Sequence, residues 1–325
     1  MCSSADHDPP QPRSSAHSRP GSTIFGVETV DDVRAALAEH EYLADEGLAT
    51  AVFLAIRLQR PLLLEGEAGV GKTEVAKVLA RWTGGELVRL QCYEGIDAAQ
   101  AVYEWDYSRQ LLHLRAVEAG GGEVVEDELY SEKFLVKRPL LRAIAYEHDT
   151  LGASAPPVLL VDEVDRADDE FEAFLLEILS DYTVTVPELG TFHASVPPLV
   201  VVTSNRTRDV HDALKRRCLY HWIGHPDFER ELAILRVRAP EVPEALAHQV
   251  AAAVQALREL DLYKPPGVAE TIDWANALAA LGQTEIDEHA VGVTLGTILK
   301  YREDQERTRA QGLDRVVQSA MERSA

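Results

Sequence analysis

A glycine-rich stretch that follows a short apolar run is the strongest constraint on the fold of this chain. The apolar run covers residues 61–64, and the stretch has the pattern G-x-x-x-x-G-K-[ST] at residues 66–73. Its members are Gly66, Glu67, Ala68, Gly69, Val70, Gly71, Lys72 and Thr73. Between a buried strand and a helix, such a loop directs backbone N–H groups at phosphate oxygens. A plain glycine-rich turn is the alternative, and the preceding strand disfavours it. The sequence therefore predicts a P-loop that binds a nucleoside triphosphate.

Within this loop, two side chains have the chemistry that a triphosphate requires. The Lys72 ammonium is expected to reach the β- and γ-phosphates, and the Thr73 hydroxyl is expected to bind Mg²⁺. ATP and Mg²⁺ are therefore the predicted cofactors.

Apolar runs alternate with helical patterns over residues 24–226, which predicts an α/β domain. The predicted strands are 61–65, 86–91, 158–161, 199–202 and 219–222, and the predicted helices include 30–39, 46–58 and 71–82. Strands that alternate with helices favour right-handed crossovers, and the nucleotide then binds at the carboxyl ends of the strands. We expect a five-stranded parallel sheet flanked by helices.

Strand patterns disappear after Asp227, and only helical patterns follow. They cover about 227–238, 243–260, 268–281, 285–300 and 312–323, separated by prolines and by Gly282. We therefore expect a small all-helical lid domain over 227–325. Residues 1–23, rich in Ser, Pro, His and Asp, are expected to form a disordered tail, because they lack the apolar segment of a signal peptide.

Polar side chains follow two of the predicted strands. Asp162 and Glu163 come directly after the strand 158–161, and Asn205 comes shortly after the strand 199–202. Asp162 is expected to hold Mg²⁺ through its water shell, and Glu163 to activate the attacking water as a general base. The Asn205 amide is expected to bind the γ-phosphate or that water, although asparagine also favours turns.

Two arginines, Arg216 and Arg217, close a short helical pattern just before the last strand. They could merely complement the negative end of that helix. The alternative is an arginine finger that reaches the γ-phosphate of a neighbouring subunit. We favour the finger, with Arg217 ahead of Arg216.

The charge balance bears on the class of partner. The chain carries 54 acidic and 32 basic residues, for a net charge of −22. Nucleic-acid binding depends on phosphate neutralisation by Lys and Arg, so a protein partner is expected and nucleic acid is disfavoured. No apolar run is long enough to span a bilayer. The three cysteines are widely spaced, as in proteins of a reducing compartment, so we expect a cytoplasmic protein.

The order of these motifs resembles the AAA+ ATPases, and the details are similar to the MoxR group, in particular the CoxD-type ATPases of carbon monoxide dehydrogenase maturation. The resemblance covers roughly residues 28–300. It is carried by residues 90–97 (LQCYEGID), 103–107 (YEWDY), 162–167 (DEVDRA) and 264–271 (KPPGVAET).

This resemblance implies a homo-oligomeric ring, usually a hexamer, with the nucleotide at subunit boundaries. It also implies a von Willebrand A domain protein as partner and a role in the maturation of a client metalloenzyme, such as a molybdenum hydroxylase. Many AAA+ members have a lid arginine that touches the γ-phosphate, yet residues 264–275 contain none. Lys264 is a poor substitute for such an arginine.

Two segments are candidates for contact with a substrate. In the long insertion 95–150, Tyr103, Trp105 and Tyr107 alternate and would share one face if extended. They would either grip a polypeptide in a ring pore or pack the insertion onto its own domain. Residues 183–193 predict a β-hairpin with Gly190 near its turn. The scattered histidines His113, His193, His211, His221 and His225 lack metal-ligand spacing, so no protein metal site is assigned to them.

The leading functional hypothesis is an ATP-driven remodeller of a protein. A nucleotide-gated assembly module with slow turnover is the second hypothesis. A DNA-translocating ring is the third, and the net charge disfavours it.

Overall fold

The computed structural model describes residues 27–121, 126–146 and 155–322. The predicted tail 1–23 and parts of the insertion lie outside these ranges. Nine strands are present in the described residues: β1 (Leu62–Gly66), β2 (Leu87–Gln91), β3 (Tyr103–Trp105), β4 (Leu135–Lys137), β5 (Val158–Asp162), β6 (Thr183–Val186), β7 (Gly190–His193), β8 (Leu199–Ser204) and β9 (Leu219–Ile223).

Fifteen α-helices are present in the same ranges. They are α1 (Val30–Glu39), α2 (Glu46–Leu58), α3 (Lys72–Thr83), α4 (Ala98–Val102), α5 (Tyr107–Ala119), α6 (Glu126–Leu129), α7 (Pro139–Ile144), α8 (Asp169–Asp181), α9 (Asp212–Arg217), α10 (Phe228–Arg238), α11 (Glu244–Arg258), α12 (Val268–Ala280), α13 (Glu288–Ile298), α14 (Arg302–Gln311) and α15 (Leu313–Glu322).

Five parallel strands form the central sheet in the order β2-β5-β8-β1-β9. Every residue of β1, β5 and β8 is buried, because helices cover both faces of a parallel sheet. This burial explains why the three strands are continuous apolar runs in the sequence. The predicted fold class, an α/β P-loop sheet flanked by helices with further helices at the C-terminal end, is confirmed.

The register of the sheet brings the polar strand ends together. Gln91 of β2 pairs with Asp162 of β5, and Glu65 of β1 pairs with Ser204 of β8. The P-loop follows β1 at the same edge of the sheet. Residues that are far apart in sequence therefore converge where the carboxyl ends of the strands meet.

The insertion has a short strand followed by a helix where Tyr103, Trp105 and Tyr107 alternate. Tyr103–Trp105 pairs antiparallel with Leu135–Lys137, but the Asp106 side chain then caps α5 by accepting from the Arg109 N–H. The chain thus becomes helical at Tyr107. Trp105 is buried and makes an edge contact with the Tyr130 ring, whereas Tyr107 is exposed. The three aromatic residues therefore do not share one extended face, because the cap turns the chain after Trp105, and the buried Trp105 favours the alternative that the insertion packs onto its own domain.

The hairpin predicted at 183–193 is present as β6 and β7. Val186 pairs with Gly190, whose φ of +91° lies in the left-handed region that glycine favours. Val184 and Val186 are buried on one side of the hairpin, and Thr185 is exposed on the other.

Helices α10–α13 and α15 share a hydrophobic core of their own, which includes the fully buried Trp274. The first of them begins after Asp227, whose side chain caps the helix by accepting from the Arg230 N–H. Sequence patterns missed α14, because its residues 302–311 are almost all polar. A lid domain that starts at residue 227 stays a prediction. No helix in the described ranges combines the length and the hydropathy that crossing a membrane requires.

Candidate nucleotide site

The P-loop joins β1 to α3 and is shaped by glycines. Gly69 and Gly71 have φ angles of +85° and +97°, which side chains with a Cβ rarely adopt. Gly71 occupies the N-cap of α3 and provides no side-chain acceptor for the first N–H groups of the helix. These N–H groups, at the positive end of the helix dipole, are available to an anion.

Lys72 lies inside the loop. Its ammonium donates to the Gly66 carbonyl at 2.8 Å and to the Glu67 carbonyl at 2.6 Å, and the residue is only 6% exposed. Burial lowers the pKa of Lys72 to about 8, against the opposing effect of the nearby Asp165 and Asp162 carboxylates. A phosphate beside this ammonium would supply the counter-charge that the buried cation needs.

Thr73 and Asp162 form the pair of oxygen ligands expected for Mg²⁺. The Thr73 hydroxyl donates to Asp162 Oδ1 at 3.1 Å, and Thr203 donates to the same oxygen at 2.6 Å. A hydroxyl and a carboxylate are hard oxygen donors, and Mg²⁺ is usually bound by one or two carboxylates with water and phosphate oxygens. The residues therefore fit the metal. In the described ranges, no group of three or more His, Cys, Asp or Glu side chains could hold a metal ion.

Sequence patterns missed a basic neighbour of this pair. Arg89 of β2 donates to Asp162 Oδ2 through Nε at 3.1 Å and through Nη2 at 2.6 Å. Asp162 is almost fully buried, whereas the Arg89 side chain is half exposed. The alternation along β2 could have shown that Arg89 and Gln91 face the same side.

Glu163 is held in an unusual backbone conformation directly after β5. Its φ is +56°, which lies in the left-handed region. This conformation is energetically unfavourable for a residue that has a side chain. The Glu163 N–H donates to the Thr203 hydroxyl at 2.9 Å, which ties the strained residue to β8. Strain that neighbouring strands maintain is typical of functional sites.

Three side chains orient the Glu163 carboxylate. Gln91 Nε2 donates to Oε2 at 3.0 Å, Asn205 Nδ2 donates to Oε1 at 3.2 Å, and Arg166 Nε lies 3.0 Å from Oε2. The structure thus places Asn205 beside Glu163 and identifies Gln91 and Arg166 as further neighbours. Together they fix the carboxylate at the mouth of the P-loop.

The position of Asn205 depends on a buried carboxylate that the sequence analysis did not single out. Asp165 is 2% exposed and accepts from the backbone N–H groups of Asn205 at 3.2 Å and Thr207 at 2.9 Å. The Thr207 hydroxyl donates to it as well, at 2.7 Å. Asp165 therefore anchors the loop after β8 to the segment that follows Glu163.

A cavity of about 380 Å³ lies between the P-loop and helices α10 and α12, within the range of small-molecule sites. The predicted residues that line it are Ala68, Gly69, Val70, Gly71, Lys72, Thr73, Asp162, Glu163 and Asn205. Gly66 and Glu67 belong to the same loop but lie outside the lining. The opposite wall is partly apolar, with Tyr42, Leu43, Ile223, Ile234 and Ile272. A wall of this kind suits a nucleobase.

The C-terminal helices meet the P-loop directly. The Gly69 carbonyl accepts from the Val268 N–H at 3.0 Å, and a Cβ on Gly267 would lie 2.8 Å from the Gly69 Cα. Arginines also face the cavity from this side. They are Arg230 and Arg238 of α10, which lie outside residues 264–275. Arg230 donates to Asp45 and to the Leu43 carbonyl, both at 2.8 Å.

Arg216 and Arg217 lie elsewhere. Both are exposed at the end of α9 and outside the lining of the cavity. Neither guanidinium makes a hydrogen bond or an ion pair with another residue of the described ranges. The structure therefore does not bring them to the P-loop of their own subunit.

Comparison with known proteins supports the interpretation of this cavity as a nucleotide site. Residues 61–218 match the family model described as the AAA domain of the dynein-related subfamily. This segment runs from the strand before the P-loop to the end of α9. The search of curated protein sequences gave no significant match.

Solved structures with a similar course of the chain include a candidate ATPase from Cytophaga hutchinsonii. It is 16% identical with a TM-score of 0.43, and the alignment covers 90% of this chain and 96% of that one. They also include a point mutant of Thermotoga maritima RuvB, 14% identical with a TM-score of 0.45, over 85% of this chain and 72% of that one.

The family match and the site coincide. The matched segment contains the P-loop, the two carboxylates after β5, Asn205 and the arginines of α9. Residues 61–218 are therefore similar to an AAA domain both in sequence and in the residues of the site, and this combination supports ATP hydrolysis.

Proposed function

We propose that this ATPase is a ring-forming remodeller of the MoxR group that matures or activates a client metalloenzyme. The contact between Asn205 and the strained Glu163, directly beside the P-loop, carries the catalytic part of the proposal. It joins a base and a polar amide at the place where a γ-phosphate would lie. The maturation role rests on the resemblance of residues 90–97, 162–167 and 264–271 to the CoxD-type ATPases.

Each residue of the site has one task in this proposal. The P-loop amides from Gly66 to Thr73 and the Lys72 ammonium bind the phosphates. Thr73 and Asp162 would hold Mg²⁺, and this ion would neutralise charge on the phosphates. Glu163 accepts a proton from the attacking water, and Asn205 orients that water or the γ-phosphate.

Hydrolysis also needs a cation that stabilises the charge on the γ-phosphate in the transition state. The arginines of α9 do not reach the cavity of their own subunit. Arg216 and Arg217 are exposed and lie outside the lining of their own cavity, and in the described ranges neither guanidinium has a hydrogen-bond or ion-pair partner. We therefore assign them to the nucleotide site of a neighbouring subunit, with Arg217 as the main finger. This assignment requires a homo-oligomer, and a hexamer is the form that the resemblance implies.

The partners follow from charge and from the resemblance. A net charge of −22 opposes binding to nucleic acid and leaves a protein client as the expected substrate. We propose a von Willebrand A domain protein as the adaptor and a molybdenum hydroxylase as the client. Cys92 and Cys218 are buried free thiols, in keeping with a reducing, cytoplasmic location.

The catalytic proposal is tested by separating binding from hydrolysis. Lys72→Ala removes the phosphate-directed cation and is expected to abolish ATP binding. Glu163→Gln removes only the base and is expected to bind ATP but not to hydrolyse it. Glu170→Gln, at an exposed position of α8, is the matched control and should behave as the wild type. Hydrolysis by Glu163→Gln at the wild-type rate would refute the assignment of the base.

The finger is tested by mixing inactive variants. Arg217→Ala keeps its own P-loop and is expected to bind ATP normally, yet its rings should hydrolyse slowly, since a finger contributes about 10³–10⁵ in rate. Glu163→Gln has an intact finger and no base. Mixed rings should recover activity wherever the intact site of one variant meets the intact finger of the other. Mixed rings that assemble and stay inactive at every ratio would exclude a role for Arg217 in the neighbouring site.

The client assignment is tested by turnover. The ATPase rate is measured with and without the von Willebrand A protein and the metal-free hydroxylase. A remodeller is expected to turn over faster with its client. Binding of the partners without any change in rate would favour a nucleotide-gated assembly module instead. Salt-resistant binding to duplex DNA without these partners would favour a DNA-translocating ring.

A further inference from the structure

The end of α9 is held by a residue from a distant part of the chain. Arg60 lies between α2 and β1, two residues before the strand that leads into the P-loop. Its Nε donates to the Arg217 carbonyl at 3.0 Å, and its Nη2 donates to the carbonyls of Arg216 at 2.7 Å and Arg217 at 2.9 Å. The Cys218 carbonyl is a fourth, longer contact of Nη2, at 3.4 Å.

These carbonyls belong to the last turn of α9, where a helix leaves its C=O groups without intrahelical partners. A planar guanidinium can bind several of them at once, which a point charge cannot do with the same fixed geometry. The Arg60 side chain therefore fixes the backbone that carries the two candidate finger side chains. No ion pair of Arg60 with an acidic side chain is present in the described ranges.

The contact is continuous with the central sheet. The Leu219 N–H donates to the Pro61 carbonyl at 2.7 Å, and Leu62 pairs with Leu219 in the ladder between β1 and β9. The hydrogen bonds of the Arg60 guanidinium therefore lie directly beside the first backbone hydrogen bond between these two segments. It connects the end of α9 to the same strand that positions the P-loop.

We propose that Arg60 is a positioning residue for the arginine finger. Its guanidinium fixes the direction in which Arg216 and Arg217 leave the subunit, and so aligns them with the γ-phosphate in the next subunit. This inference rests on the proposed role of Arg217 in the neighbouring site. Arg60 itself is not among the residues that line the nucleotide cavity.

The role predicts a specific defect. Without the guanidinium, α9 keeps its buried Leu214 and its N-terminal contacts, but its last turn is free to shift. A misplacement of about 1 Å can cost on the order of 10²-fold in rate. Arg60→Met should therefore lower ATP hydrolysis by about 10²-fold and leave ATP affinity unchanged.

The decisive experiment is a complementation assay in mixed rings. Arg60→Met should recover activity when mixed with Glu163→Gln, because the first variant has an intact site and the second an intact finger. It should recover none when mixed with Arg217→Ala, because both lack a working finger. Arg57→Met is the matched control: this exposed arginine of α2 lies over the Phe53 ring and is not part of the α9 contact. It should hydrolyse ATP as the wild type does.

The opposite pattern would overturn the inference. Recovery with Arg217→Ala but not with Glu163→Gln would mean that Arg60 supports the P-loop of its own subunit. Hydrolysis by Arg60→Met at the rate of Arg57→Met would also refute it. If Arg60→Met does not fold, Arg60→Lys keeps the charge without the planar donors, and it should show the same pattern with a smaller loss. If Arg217→Ala itself fails to complement Glu163→Gln, the proposed finger fails first, and that outcome is distinct from the others.

Discussion

The most informative perturbation of the C-terminal helices is the replacement of Glu231. This carboxylate of α10 is fully buried and paired with Arg258 of α11, which is only 8% exposed at its side chain. Arg258 donates to both carboxylate oxygens, at 2.5 and 2.8 Å. Thr271 and Gln255 donate to the same two oxygens, at 2.8 and 2.9 Å. Glu231 thus joins three helices.

Glu231→Gln keeps the shape of the side chain but removes the charge. The new amide N–H₂ would face the donors of Arg258 and Gln255, and the Arg258 cation would stay buried without a counter-charge. Breaking a buried pair in this way costs about 3–5 kcal/mol. Glu231→Gln with Arg258→Met removes that cation and should recover most of the loss.

The assay is urea unfolding followed by tryptophan fluorescence, to which the buried Trp274 of the same core contributes. Glu229→Gln, exposed on the same helix, is the control and should stay within about 0.5 kcal/mol of the wild type. A loss below about 1 kcal/mol for Glu231→Gln, or an equal loss in the double variant, would refute the reasoning. Because Arg258 also donates to the Pro266 carbonyl at 2.9 Å, beside the contact with the P-loop, ATP affinity should fall as well.

Three further outcomes are expected. Gly267→Ala places a Cβ 2.8 Å from the Gly69 backbone and should weaken ATP binding in equilibrium titrations; unchanged affinity would show that the lid contact is dispensable. Asp165→Asn loses the buried anchor of Asn205 and should lower kcat more than it raises KM, whereas an effect on KM alone would contradict this role. Thr73→Val removes the hydroxyl beside Asp162 and should make ATP affinity less sensitive to EDTA than in the wild type; equal sensitivity would exclude Thr73 as a ligand of Mg²⁺.

The sequence by itself determined the fold class and the core of the site. The buried strands of a parallel sheet are continuous apolar runs, and the carboxyl ends of such strands meet at one edge. Short-range signals therefore predicted both the sheet and the convergence of the P-loop, Asp162 and Asn205. The predicted helix 30–39 is α1, and in the structure the Thr29 side chain caps its start by accepting from the Asp32 N–H.

Contacts between residues that are far apart in the chain could not be predicted from the sequence. Three contacts of the site join residues that are 40 to 157 positions apart in the sequence. They are those of Arg89 with Asp162, of Asp165 with Asn205, and of Arg60 with the end of α9. An arginine on the surface of a strand or at the end of a helix gives no local pattern that names its partner. The insertion is similar: an Asp that caps a helix at Tyr107 overrode the alternation of aromatic residues.

The lid shows the same division. Local periodicity predicted most of its helices. It could not show that the arginines that line the cavity are Arg230 and Arg238 of α10, outside residues 264–275. The sequence determined which segments are helical, because helix formation depends on neighbours within a few residues. Only the tertiary structure decided which helix faces reach the P-loop, because that depends on how separate elements pack.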